Sequence, residues 1–240
     1  MTTAKQHYEQ LLGDHYTWSV AGDDDPFDRP ATWLARHALT GASRYLDLGA
    51  GFGAHAVPLA RLGASVTAVD FHAGLLAELR AAAPTVSTHE ADLLAFLDAT
   101  SETWDAVLCL GDTLTHLPDR AAVQRLVAGA ARVLAPGGFV ALSYRDYSGP
   151  PRTGLDRFIP VRSDPHRSLL CCVELVDPDR VSVTDILTTA EPAGLRTRLS
   201  TYHKLRLAPD HVAAWAATAG LALDRASLDQ GMLLQVFRAA

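Results

Sequence analysis

The stretch LDLGAGFGAH, residues 46 to 55, constrains the fold more than any other. It begins inside a short apolar strand, RYLDL (44 to 48), and runs into a helix-length apolar segment, Ala54 to Leu62. Gly49, Gly51 and Gly53 lie between the two. Glycine there lets the backbone turn tightly and lets a ligand approach the amides at the helix start. Ser65 to Val69 is a second, β-branched strand, and it ends at an acid, Asp70. A carboxylate in that place accepts both hydroxyls of a ribose. The plain alternative is a turn between strand and helix that holds nothing.

The alternation continues. Helical segments are expected at Ala73 to Ala83, Leu93 to Asp98 and Pro118 to Leu134, and strands at Thr85 to Thr88, Trp104 to Leu110 and Phe139 to Ser143. Continuous apolar strands between helices imply a parallel sheet covered on both faces, a doubly wound α/β fold. The pattern then changes. Tyr147 to Pro165 is rich in Gly, Pro and Arg. Leu169 to Val176, Val181 to Leu187 and Arg196 to Leu207 read as three consecutive strands of an antiparallel meander. Pro209 to Ala219 returns to helix and Gly231 to Phe237 is a last strand. The expected organisation is an N-terminal helical lid segment, 1–43; a ligand-binding core, 44–146 and 208–240; and an antiparallel cap or substrate insertion, 147–207.

Composition narrows the partners. The 240 residues are 48% hydrophobic and 20% charged, which excludes disorder as the main state. With 21 Lys+Arg against 27 Asp+Glu, the net charge is −6, so nothing draws the chain to nucleic acid or to an anionic membrane. Almost every basic residue is Arg; Lys5 and Lys204 are the two lysines. The three cysteines show no zinc or disulfide spacing, and no metal site is expected. With no signal core or long apolar run, the expected setting is cytoplasmic and reducing.

Two cofactor readings compete for the glycine loop. Gly49, Gly51 and Ala54 satisfy the relaxed dinucleotide pattern. Asp47, however, sits two residues before Gly49, where it would repel a pyrophosphate, and it suits the ammonium-bearing methionine end of S-adenosylmethionine. Asp47-x-Gly49-x-Gly51-x-Gly53, Asp70, Glu90-Ala91-Asp92, Trp104-Asp105 and LAPGGFVALS come in the order and spacing of the class I S-adenosylmethionine-dependent methyltransferases, which this chain resembles over residues 44 to 144. The resemblance implies a Rossmann-like seven-stranded sheet with a last antiparallel strand. It places Gly49 and Gly51 at the methionine end, Asp70 on the ribose and Ala91, Asp92 and Leu93 at the adenine. It extends the cofactor contacts to Ala50, Gly53, Phe71 and Leu110. Asp92 reads equally as an ordinary helix cap.

CLGDTLTHL (109 to 117) followed by SYRDY (143 to 147) is similar to the glycine and glycine/sarcosine N-methyltransferase branch. That similarity implies Arg145 for a substrate carboxylate, Tyr16 near the methyl donor and Arg29 for the donor's carboxylate. One position departs: the branch has Asn where this chain has Asp112. A carboxylate there favours a cationic substrate or acts as a base, as does His116 four residues on. The expected activity is methyl transfer to a small molecule, at the nitrogen of an amino acid or amine. The runner-up is methylation at carbon 3 of an indole, with Asp112 and His116 as base; O-methylation is a third option. A nicotinamide oxidoreductase and a non-enzymatic S-adenosylmethionine-binding protein remain as rivals from other classes. A homodimer is compatible with either the cap or the N-terminal helix as interface. Arg152, Arg157, Arg162, His166 and Arg167 form a sparse basic stretch, a solvated loop or the rim of an entrance. Asp23, Asp24 and Asp25 read as a loop with a helix cap; the alternative, implied by the resemblance, is a contact for a cationic substrate from the segment that covers the pocket in this family.

Overall fold

The computed structural model describes residues 2–21, 25–229 and 231–239; Asp23 and Asp24 lie outside them. Among these residues seven strands form one sheet. They are β1 (Arg44–Leu48), β2 (Ser65–Asp70), β3 (Ser87–Glu90), β4 (Trp104–Cys109), β5 (Leu134–Arg145), β10 (Leu221–Asp229) and β11 (Met232–Ala239), in the order β10-β11-β5-β4-β1-β2-β3. The first five are parallel; β11 runs antiparallel to β5, and β10 to β11. The order reverses between β1 and β4. In an open parallel sheet that reversal opens a crevice at the carboxyl ends of the strands.

Helices cover both faces. α4 (Ala56–Arg61) and α5 (Ala73–Ala82) lie on one side with α3 (Asp28–Arg36); α6 (Leu93–Ala99), α7 (Arg120–Arg132) and α8 (Pro209–Thr218) lie on the other. The strand residues divide by parity. Tyr45, Ala106 and Leu108 pack toward α4 and α5, whereas Leu46, Leu48, Val107 and Cys109 pack toward α7. Period-two alternation with both faces apolar is what a doubly covered sheet requires.

The second sheet is antiparallel, ordered β6 (Phe158–Ser163), β7 (Arg167–Asp177), β8 (Arg180–Glu191), β9 (Gly194–Leu205). It corrects the expected three-strand meander to four. β6 was hidden by Pro160, whose missing N–H breaks the ladder at a bulge between Pro160 and Arg162 and suits an edge strand. β10 was also unforeseen. It is irregular between Leu223 and Arg225, and most of its residues face water, so it lacks the apolar run that marks a buried strand. β5 starts before the expected Phe139, at Leu134 beside Trp104.

The N-terminal helical stretch comprises α1 (Ala4–His7), a π-helical turn (Tyr8–Leu12) and α2 (Gly13–Val20). Leu11 and Leu12 bury against Leu169 and Leu187 of the cap sheet. The basic stretch does much of the fastening. The Arg167 guanidinium lies 4.3 Å over the Trp18 ring centroid, and that of Arg162 lies 5.6 Å over it while donating to the Trp18 carbonyl at 2.7 Å and to that of Ala21. Arg157 pairs instead with Glu174. Losing these contacts frees the helix without touching the core. Arg162→Ala is expected to speed amide exchange at least tenfold across residues 4–20 and to leave β1, β4 and β5 protected; hydrogen-exchange mass spectrometry reads both regions.

Candidate active site

The glycine loop leaves β1 at the point of strand reversal. Gly49 has φ +79°, and a Cβ there would stand 2.4 Å from Thr113 Cγ2, so a side chain at this position meets both backbone strain and a clash. Asp70 ties the loop down: its Oδ2 accepts the Gly51 N–H at 2.9 Å and its Oδ1 the His72 N–H at 2.9 Å. Gly53 has a packing task, since a Cβ there would stand 2.7 Å from Leu79 Cγ of α5.

Three connected spaces meet at His116. A narrow cleft of about 50 Å³ runs between Gly49, Gly51, Asp70 and Phe71, roofed by Tyr8 and Tyr16. On one side it meets a cavity of about 470 Å³ bounded by Phe71, Ala91, Asp92, Leu93 and His203. On the other lies a chamber of about 370 Å³, with Ala50, Leu110, Asp112 and Arg145 on the core side and the cap sheet opposite. Thirteen of the sixteen residues singled out in the sequence therefore border one continuous space. Asp92 does so while capping α6 through Oδ1, with Leu94 N and Ala95 N each at 3.0 Å. Tyr202 and His203, adjacent on β9, face the chamber and the larger cavity respectively.

The exceptions are Gly53, Asp47 and Arg29. Asp47 is buried beneath the loop at 1% exposure, and its Oδ2 has no partner. Burial first, and then the Asp70 carboxylate, push its pKa up to about 7. Arg29 is exposed at the start of α3, in a surface dip with Asp25 and Asp28, and is not among the residues that line the three spaces.

Asp112 departs most from the sequence reading. It adopts a left-handed backbone conformation, φ +76°, directly after Gly111 at φ +72°. Asn and Asp are the non-glycine residues that tolerate this conformation best, which accounts for the residue types seen at the position. Its side chain is 4% exposed and fully engaged. Oδ1 accepts the Arg145 N–H at 2.9 Å and the Thr115 hydroxyl at 3.0 Å; Oδ2 accepts from Lys204 Nζ at 2.5 Å. Burial works to raise the Asp112 pKa, but Lys204, His116 and the donated hydrogen bonds outweigh it and hold the group below the usual carboxylate range. Lys204, itself buried, is held well above its ordinary value by Asp112 against the pull of burial. His116 is pushed down to about 3, by burial first and by Lys204 second. Asp112 is thus an ionised anchor held by three donors, and His116 is a neutral imidazole.

Lys204 is the residue missed. Its signal was a lone lysine in the distal half of a chain that otherwise uses Arg. Arg145, by contrast, lines the chamber's mouth, and no carboxylate among the described residues pairs with its guanidinium.

An orphaned, buried carboxylate oxygen beneath a loop that excludes side chains fits an ammonium-bearing nucleoside better than a pyrophosphate. The comparisons agree. Residues 46–138 match the family described as the methyltransferase domain. Those residues form a methyltransferase domain of the class I S-adenosylmethionine-dependent kind. It is 34% identical over 116 residues to the ubiquinone biosynthesis O-methyltransferase of Paracidovorax citrulli, covering 46% of this chain and 47% of that one. It is 30% identical over 152 residues to the glycine/sarcosine N-methyltransferase of Halorhodospira halochloris, covering 57% of each. The chain spans about half the length of these curated relatives. The CcbJ methyltransferase from Streptomyces caelestis superposes with a TM-score of 0.73 at 26% identity, over 90% of this chain and 96% of that one.

Two outcomes follow for this protein. Asp112→Asn strands the Lys204 ammonium in the interior and is expected to cost about 3–5 kcal/mol of stability. Adding Lys204→Met removes the stranded charge, so the double variant should regain most of the lost thermal midpoint; a double variant as unstable as the single one refutes the ion-pair account. Asp47 titrates higher in the fold than in the unfolded chain. Its stabilising contribution is full below about pH 4 and is lost as pH rises through about 7. Between about pH 5 and 8 the thermal midpoint of the free protein should therefore fall further than that of Asp47→Asn.

Proposed function

We propose that this chain transfers the methyl group of S-adenosylmethionine to the nitrogen of a small amine. The observation that carries this reading is the engagement of Asp112 by donors that draw its pKa down. Its two oxygens already accept from Arg145 N, Thr115 and Lys204, and the neighbouring His116 is a weak base with a pKa near 3. Methylating carbon 3 of an indole, or a phenol, asks for a base at the strand ends to take a proton as the new bond forms. A neutral amine asks for none: its lone pair attacks directly, and the extra proton leaves afterwards. The indole reading loses the base that recommended it.

The donor supplies an electrophilic methyl group on a sulfonium. Around it we assign Gly49, Ala50 and Gly51 to close backbone approach at the methionine end, with the buried Asp47 beneath the loop favouring its ammonium through the field rather than by contact, Asp70 to the ribose, and Phe71, Ala91, Asp92 and Leu93 to the adenine. Leu110 and Tyr16 border the space between donor and acceptor. His116 accepts an N–H of the amine and turns its lone pair toward the cleft, a positioning task that a neutral imidazole performs at any pH above about 4. Arg145 meets an anionic part of the substrate, and its fork geometry suits a carboxylate. Orientation of this kind is worth roughly 7–11 kcal/mol of barrier, which is most of what a reaction with a preactivated donor requires.

Neither Asp112 nor His116 titrates above about pH 5 in this arrangement, so kcat/KM should climb with pH along the substrate amine's own deprotonation and then level. The test is mass-spectrometric detection of methylated product from panels of amines, amino acids, indoles and phenols. N-methyl products with that single-ionisation profile are expected. Turnover confined to indoles or phenols overturns the reading.

A further inference from the structure

The chamber wall formed by the cap sheet is largely aliphatic, with Val161, Leu169, Val173 and Val183 toward the space. In the middle of it stands Asp185 of β8, 5% exposed, between Cys171 and Ser200 in the strand register. None of the steps above uses it. A buried carboxylate among aliphatic neighbours costs several kcal/mol unless it is well paired. Its pairing is incomplete. His7 Nε2 meets Oδ2 at 2.9 Å, and the other close polar neighbour, the Cys171 thiol, is a weak donor whose pKa burial and then Asp185 push up to about 12. His7 is fully buried, stacked on Tyr202 at 4.2 Å, and its Nδ1 has no partner. Deeper charges are accounted for, since Asp112 and Lys204 cancel each other. Arg145 and Arg152 line the chamber from exposed positions. The inner chamber is therefore left with one carboxylate short of a donor.

We propose that Asp185, braced by His7, is a cation anchor, and that the substrate carries a second ammonium group beyond the nitrogen that is methylated. The held group is not the nucleophile, because a carboxylate favours the protonated amine and so keeps the lone pair occupied. The substrate class is a diamine or a comparable doubly basic amine. This specificity rests on the amine reading given above.

The probes are diaminobutane, aminobutanol and butylamine, which share one four-carbon chain. Their binding to the protein saturated with S-adenosylhomocysteine is measured by calorimetry. Diaminobutane should bind at least tenfold more tightly than either of the others, and in Asp185→Asn the three should agree within about twofold. Asn still accepts from His7, so a merely structural pin between helix and sheet leaves the ratio unchanged. The wild-type ratio decides the first point whether or not the variant folds. Equal binding of all three, or a preference that survives in Asp185→Asn, overturns the anchor. Aminobutanol matching diaminobutane overturns the cation in favour of a hydroxyl. Methylation of butylamine with no binding preference rejects the anchor and keeps the amine reading, whereas methylation of indoles or phenols in place of amines rejects the reading itself.

Discussion

The contact between Asp112 and Lys204 joins the two sheets at the place where chemistry is proposed. One carboxylate gathers the end of β4, the backbone of β5 at Arg145, the turn at Thr115 and the far strand β9. Each partner is satisfied only while the cap sits on the core. A buried charge without its counterpart costs more than the pair contributes, so the arrangement acts less as glue than as a demand for one geometry. Burial first and Lys204 second keep the neighbouring imidazole neutral. The acceptor chamber's electrostatics are therefore a consequence of how the cap is attached.

The N-terminal helix depends on that arrangement in turn. It lies across the crevice between core and cap. Tyr8 and Tyr16 roof the donor cleft, and His7 reaches β8. Its close approach uses small residues: a Cβ at Gly13 would stand 2.3 Å from His72 Nε2. The π-helical turn over Tyr8–Leu12 adds a residue to the helical repeat, and such turns occur where side chains must be re-aimed. Here Leu11 and Leu12 point to the cap while Tyr8 points to the cleft. A segment held by stacked arginines and one buried imidazole is easier to release than a core strand.

What could be read from the sequence follows from distance along the chain. The glycine loop, Asp70 and Asp92 act through neighbours a few residues to about twenty residues away, and their residue types announce the geometry. The alternation of strands and helices was legible for the same reason. Lys204 pairs across 92 positions, and no local pattern marks it apart from the scarcity of lysine. Asp185 and His7 are farther apart still, at 178 positions. β6 and β10 escaped because Pro160 and the irregularity at Leu223 to Arg225 interrupt the periodicity by which strands are recognised.

The reading of Asp112 as a base was reasonable chemistry applied to the wrong environment. A carboxylate at the end of β4 is a base only if a lone pair is open to the substrate and its pKa has not been drawn down. Both conditions depend on β9, which the motif does not contain. With Lys204 in place the residue supplies position, and the proposed acceptor is a nucleophile that brings its own lone pair. An amine does so at the cost of losing one proton before attack. That makes an isolated, weakly basic imidazole beside the cleft an advantage. It accepts a hydrogen bond without competing for the proton, and it adds no positive charge beside a sulfonium.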